Sequence, residues 1–334
     1  LMKTRRDFLI GSGMATAAAW LRRGNLLAQA ASAPSAGAAQ APASANPAVQ
    51  PNPTLPQQLR AAATNEKIKT TKLTDTIFLL QGVGGNIVFQ TGPDGGLLID
   101  SGIATGTHHL LEEMNKLDAN KPKMLINTHW HFDHTDGNAE LHSEGAFIVA
   151  QDNTRARLSK PQYMACYDVH FPAAPDAALP QATFPNAETL WVNNDQADLV
   201  HTPDAHTDSD IFIHFHRGNV IHTGDLWFNG MYPLIDLSSG GTINGMMHGV
   251  DQVLALADER TKIVPGHGAL GDKAALVRYR EMLGTVADRV AKLKSSGNSV
   301  DQAVAAKPTA DLDAVWAHGA IKPNTFVALV YDSL

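Results

Sequence analysis

Residues 128–134 read Thr-His-Trp-His-Phe-Asp-His, placing His129, His131, Asp133 and His134 within six positions. Polar side chains this dense need a partner when buried, and a metal ion satisfies imidazole and carboxylate together. This donor set suits zinc, with iron or manganese as alternatives. His129 and His131 can face one ion, and Asp133 and His134 a neighbouring one. Four ligands do not complete two ions, so others must come from elsewhere. Three later positions fit: His206 in Asp-Ala-His-Thr-Asp, Asp225 in His-Thr-Gly-Asp-Leu and His267 in Val-Pro-Gly-His-Gly.

Each of these groups adjoins an expected strand, where loops can converge over a rigid frame. Apolar runs between turn residues predict strands over 76–81, 86–90, 97–100, 123–127, 147–150, 211–216, 219–223 and 262–264. Helical periodicity predicts helices over 107–117, 246–259 and 273–294. In the last, Leu276, Tyr279, Leu283, Val286, Val290 and Leu293 recur on one face. Residues 160–185, rich in Pro and aromatics, read as a long loop of the kind that often serves function. Strands in two batches, each followed by helices, predict sheets packed between helices in one domain over 65–334.

The ordered set of motifs resembles the metallo-β-lactamase superfamily. It rests on H-x-H-x-D-H at 129–134, His206, Asp225 in a Gly-Asp step, His267 in Pro-Gly-His-Gly, and Leu-Leu-Ile-Asp-Ser-Gly at 97–102. The likeness runs over about 75–270 and implies an α/β (α+β) fold, a four-layer αββα sandwich with metals at one rim. It also implies that His129, His131 and His206 hold one ion and that Asp133, His134 and His267 hold the other. Asp225 would bridge the two. A pair of Zn²⁺ ions lowers the pKa of a shared water from about 15.7 towards neutrality, giving a metal-bridging hydroxide as nucleophile. Asp133 can also orient that nucleophile. Asp100, Thr128 and Asp208 are candidates to hold the ligands in place.

Within the superfamily no subgroup matches cleanly. Flavodiiron proteins resemble H-x-E-x-D-H, with Glu where this chain has His131. Aspartate at position 225 resembles glyoxalase II-type thioesterases and lactonases, whereas many true β-lactamases carry Cys or Ser there. The run Gly-Asp-Leu-Trp-Phe at 224–228 is similar to the thioesterase pattern, yet Asn229-Gly230-Met231-Tyr232 lacks the basic residues expected to bind glutathione. The expected activity is a metal-dependent hydrolase opening a cyclic amide or ester, β-lactamase-like or lactonase-like. A glyoxalase II-like thioesterase and an iron-containing redox enzyme are the alternatives. Tyr232 is a candidate donor to a developing oxyanion. Trp227, Phe228, Met231 and Tyr232 are expected to form an apolar wall for a small-molecule substrate, with Trp130 and Phe132 packed beneath the ligands. His170 either faces the site or is a surface histidine, and His222 is placed to support the Gly-Asp step.

The N-terminus carries Lys3, Arg5 and Arg6 ahead of a short apolar stretch, with Ala-x-Ala steps near residue 30. Arg5-Arg6-Asp7-Phe8-Leu9 resembles a twin-arginine export signal. The expectation is a signal over 1–30, an Ala/Pro-rich disordered tether over 31–64 and a periplasmic or secreted destination. No later segment is long and apolar enough to span a bilayer. The 334 residues carry a formal charge of −7, which becomes −11 without residues 1–30. That balance disfavours nucleic acid as a partner. The single cysteine, Cys166, excludes an internal disulfide and any multi-cysteine metal site.

Overall fold

Alternation of apolar side chains along each strand gives every sheet two faces to cover. In the computed structural model, which describes residues 53–118 and 121–334, the central strands of both sheets are covered on both faces. The first sheet takes β1 (Lys69–Lys72), β2 (Ile77–Gln81), β3 (Ile87–Gln90), β4 (Gly96–Ile99), β5 (Pro122–Ile126) and β6 (Phe147–Gln151) side by side in chain order. The pairings from β1 to β4 are antiparallel, and those from β4 to β6 are parallel. A small separate hairpin follows, β7 (Gln162–Met164) with β8 (Val169–Phe171), and then β9 (Ala182–Phe184) joins β6 at the sheet edge. The second sheet runs β10 (Ala187–Val192), β11 (Asp195–His201), β12 (Ile211–Phe215), β13 (Val220–His222) and β14 (Lys262–Val264), with only its last pairing parallel.

The two-residue period decides the layers. Leu79, Val88, Leu97, Ile99, Ile126 and Val149 of the first sheet meet Leu199, Ile211, Ile213, Phe215, Val220 and Val264 of the second in one core. Their neighbours Leu80, Phe89, Leu98, Leu125 and Ile148 turn the other way. There they pack on helices α2 (Thr107–Leu117) and α4 (Asn138–Ser143). Phe212, Ile221 and Ile263 turn outward from the second sheet, against α6 (Ile243–Leu256), α7 (Lys273–Ser295) and α10 (Pro323–Ser333). The αββα sandwich follows from that alternation. The expected inward face of α7 is the observed one, with Leu276, Tyr279, Leu283, Val286 and Val290 fully buried.

Several expectations change in detail. Helix α6 starts before residue 246 because Thr242 caps it, its side chain accepting from Gly245 N–H, and it stops at Leu256 rather than 259. The expected loop over 160–185 instead holds β7, β8 and β9. His170 lies exposed on β8, its ring stacked 4.6 Å from Tyr163. The end of the expected tether is a helix, α1 (Leu55–Ala63), whose Leu59 and Ala63 pack with Ile103 and Phe132. The ordered fold therefore begins before residue 65. The expected signal over 1–30 and the rest of the tether up to residue 52 lie outside the described residues. No helix among the described residues is long and apolar enough to cross a membrane.

Candidate metal centre

The ligand groups sit where strands of both sheets end at one rim. β5 runs through Asn127 and Thr128 into His129 and His131, then into the short helix α3 (Phe132–Thr135) that carries Asp133 and His134. The loop after β11 carries His206. The turn after β13 carries Asp225, and the loop after β14 carries His267. A bond from Ile211 N–H to Thr128 C=O, 2.8 Å, ties the β5 exit to the second sheet. His222 supports the Asp225 turn: its Nδ1 accepts from Gly224 N–H at 3.0 Å, and its Nε2 reaches Asn86 C=O at 3.0 Å. Backbone closeness explains two glycines. A Cβ on Gly266 would lie 1.9 Å from Asp225 Oδ1, and one on Gly85 would lie 2.1 Å from the His134 ring.

All seven residues expected as ligands converge. His129, His131, His206 and Asp225 form one group, and Asp133, His134 and His267 the other, with ligand atoms in each within 4.8 Å of one another. Asp225 lies between them, Oδ2 3.3 Å from His206 Nε2 and 3.5 Å from His267 Nε2, and Oδ1 3.2 Å from His134 Nε2. Asp133 Oδ2 is 3.3 Å from His267 Nε2.

Hydrogen bonds on the far side of each ring dictate which nitrogen is free. Thr128 Oγ1 donates to Asp100 Oδ2 at 2.8 Å, so it accepts from His129 Nδ1 at 3.0 Å and leaves Nε2 with a bare lone pair. His134 Nδ1 donates to Asp100 Oδ2 at 2.7 Å, and His206 Nδ1 to Leu234 C=O at 2.8 Å. His131 is reversed: Nε2 donates to Asp236 Oδ2 at 3.0 Å, which turns Nδ1 inward. The lone pairs of His131 Nδ1 and His206 Nε2 then face each other at 2.8 Å. Two acceptors repel at that distance unless a proton or cation sits with them. Buried His129 Nε2 and Asp225 Oδ1 make no well-formed hydrogen bond, Asp225 Oδ1 having only the His134 ring nitrogen beside it. A buried polar atom without a partner is costly, and a cation would relieve it. The donor set fits a pair of divalent metal ions.

The charges are set by the same crowding. Burial, with His134 next, pushes His129 well below its ordinary pKa, which keeps that ring neutral. Burial also opposes charge on His134, yet Asp225, Asp100 and Asp133 outweigh it and raise that ring. His267 is raised to about 9: burial again opposes, and Asp225 and Asp133 win. Burial would raise Asp133, but His134 and His267 hold it at about 2. Asp225 falls well below the carboxylate range because His267, His134, His206 and His129 outweigh its burial.

Among the supporting residues, Asp100 and Thr128 act as expected. Asp100 holds a left-handed backbone (φ 66°) and spends both oxygens on Thr128 and His134. Asp208 does not touch the ligands; it binds Arg157 Nε and Nη2 at 2.6 and 2.8 Å. The residue missed from the sequence is Asp236. Besides His131 it accepts from Ser238 N–H and from the hydroxyls of Ser238 and Ser239. Trp130 Nε1 donates to Ser239 Oγ at 3.0 Å, so Trp130 lies beneath the ligands as expected. Nothing in the spacing of Pro-Leu-Ile-Asp at 233–236 marks that aspartate, because its partner is 105 positions away.

A cavity of about 330 Å³ opens over the site. His131, Asp133, Asp225 and His267 face it, and Phe228, Met231 and Tyr232 form part of its wall, as expected, whereas Trp227, also expected there, is fully buried in the core and does not line it. Phe132 also reaches the wall instead of lying wholly beneath. Tyr232 departs from its expected role: it is buried, and its hydroxyl donates to Asp313 Oδ1 at 2.9 Å. Of the two tyrosines in this wall, Tyr167 is the one whose hydroxyl carries no hydrogen bond within the protein, and it lies half-buried beside the β7–β8 hairpin. Burial first, then nearby Cys166, Asp133 and Asp225, raise its phenol.

Known proteins give the same picture. The profile of the metallo-β-lactamase superfamily matches residues 80–267. A hydroxyacylglutathione hydrolase of Pelagibacter ubique is 27% identical over 148 residues, 43% of this chain and 51% of that protein. The chain thus spans about half the length of that relative. A probable metallo-hydrolase of Methanocaldococcus jannaschii is 28% identical over 185 residues, 54% of this chain and 85% of that protein. A metallo-β-lactamase from Pontibacter korlensis superposes with TM-score 0.55 at 18% identity, over 65% of this chain and 99% of its own, which speaks for the fold alone.

Proposed function

The chain belongs to the metallo-β-lactamase superfamily and is a metal-dependent hydrolase; on that premise we propose that it opens a cyclic ester or amide at a two-metal site, with zinc as the ion. His129, His131 and His206 would hold one ion, Asp133, His134 and His267 the other, and Asp225 would lie between them. The observation that carries this reading is the pair of facing lone pairs, His131 Nδ1 and His206 Nε2, beside His129 Nε2 and Asp225 Oδ1, which make no well-formed hydrogen bond. The ions would supply a water acidified towards neutrality and a polarised carbonyl.

The protein's own groups do the rest. Asp100 and Asp236 fix the tautomers of His134 and His131, so each ring presents one defined nitrogen. Asp133 faces the cavity and orients the attacking water by accepting its hydrogen bond. Tyr167, the wall hydroxyl left uncommitted, takes the role first expected of Tyr232 and donates to the substrate carbonyl oxygen as charge develops there. Thioester hydrolysis is the second reading, supported by the hydroxyacylglutathione hydrolase relative. Against it stands a pocket wall with no Lys or Arg to bind glutathione among its described residues.

The test is a panel of β-lactam, lactone and thioester substrates given to the purified protein with zinc added. Turnover of a lactone or β-lactam that stops with a chelator and with Asp133→Ala is expected, and Tyr167→Phe should lower kcat about 10²-fold with metal content unchanged. Turnover of the thioester alone would replace this reading with the second one.

A further inference from the structure

The pocket wall constrains the substrate more closely than the metal site does. Among its described lining residues there is no Lys or Arg. Arg60, next to the lining Leu59, is committed: its Nε and Nη2 hold both oxygens of Asp136 at 2.9 and 2.5 Å. One side of the pocket is helix α1, which contributes Leu55 and Leu59. That helix is fastened in place by Arg60, by Thr105 Oγ1 on Arg60 C=O at 2.6 Å, and by Ala63 packed with Ile103 and Phe132. The rest of the wall is apolar, with Met164, Phe228, Met231 and Ile321 in it. Polar contact above the ligand groups comes down to Tyr167, since the Tyr232 hydroxyl is spent on Asp313.

An anionic substituent lying along this wall would lose its hydration and meet no Lys or Arg. An alkyl chain would lose only water contact. We propose that this site takes an uncharged ester or lactone bearing an apolar chain, which lies against Leu55 and Leu59 of helix α1; this rests on the hydrolase reading above. Helix α1 then sets selectivity, although it precedes every metal-ligand candidate in the chain.

Two measurements on the zinc-loaded protein test this. In the first, kcat/KM is followed along a γ-lactone series from γ-butyrolactone to γ-decalactone. The expected rise is about fourfold per buried methylene. A γ-lactone ending in a carboxylate should be turned over at least tenfold more slowly than its uncharged counterpart. Leu59→Ala and Leu55→Ala should each flatten the series, and Leu59→Lys should narrow the gap to the carboxylated compound. In the second, calorimetry follows binding of a γ-lactam with a long alkyl chain, which the enzyme need not cleave. Leu59→Ala should weaken it about tenfold. A flat lactone series, preference for the carboxylated compound, or lactam binding indifferent to Leu59 and Leu55 would overturn the proposal and leave the hydrolase reading standing. Leu59-dependent lactam binding without turnover of any ester, lactone or β-lactam would do the reverse. Neither binding nor turnover would overturn both.

Discussion

At the scale of single residues, the site works through the groups behind the ligands. Asp236 holds His131 in the tautomer that aims Nδ1 inward, so Asp236→Asn should weaken metal affinity or activity by about 10–100-fold. A competitive chelator titration reads this directly, and unchanged affinity together with unchanged activity would remove Asp236 from that role. A second buried carboxylate, Asp210, bears on stability. Burial pushes it up to about 8, against the pull of the Thr207 N–H and hydroxyl that it accepts from. The folded pKa lies above the ordinary 3.8, so the folded state binds this proton more tightly. Its stabilising contribution is complete below that ordinary value and is lost as pH rises through 8. Asp210→Asn should therefore flatten the fall in stability between about pH 4 and pH 8, which urea midpoints taken at several pH values will follow. An equal slope in both proteins would place Asp210 among ordinary carboxylates.

At the scale of elements, the rim holds its shape because the strands beneath it are locked by a shared core. Ile213 on β12 is fully buried between the sheets, one strand away from the Asp225 turn. Ile213→Ala should cost about 2–5 kcal/mol, from lost transfer energy and the cavity left behind. Denaturant unfolding measures this, and a loss under about 1 kcal/mol would mean that the sheets close over the gap. β11, which leads to His206, escapes the sequence pattern because Asp195, Gln196, Asp198 and His201 interrupt its apolar residues, but β5, β13 and β14, which feed the other ligands, are legible because turn residues bound each apolar run. β10 is not: its side chains are mostly exposed, so it lacks the pattern of a half-buried strand. The β7–β8 hairpin is not either, since three-residue strands amid prolines carry too little periodicity. Helix α1 is hidden in Ala/Pro-rich sequence, where its contacts with Asp136, Thr105 and Ile103 decide its place rather than its composition.

At the scale of the whole molecule, the described domain is preceded in sequence by a basic and then apolar stretch that resembles a twin-arginine signal, and we propose export from that resemblance. Replacing both Arg5 and Arg6 by Lys should retain the protein in the cytoplasm, as cell fractionation would reveal; unimpaired export would point to another route. The sequence by itself carried the motif set that resembles the family, and histidines and aspartates this dense at strand ends pointed to a shared metal, since buried together they would repel or stay unpaired. Its two-residue and helical periods, which are local properties, pointed to sheets packed between helices, and the family resemblance implied the four-layer sandwich. Only the tertiary structure decided which nitrogen of each histidine faces the centre, that Asp236 and not Asp208 supports it, and that Tyr167 rather than Tyr232 keeps a free hydroxyl. Those choices depend on hydrogen-bond partners and walls that lie far apart in the chain, and no local pattern encodes distance across a fold.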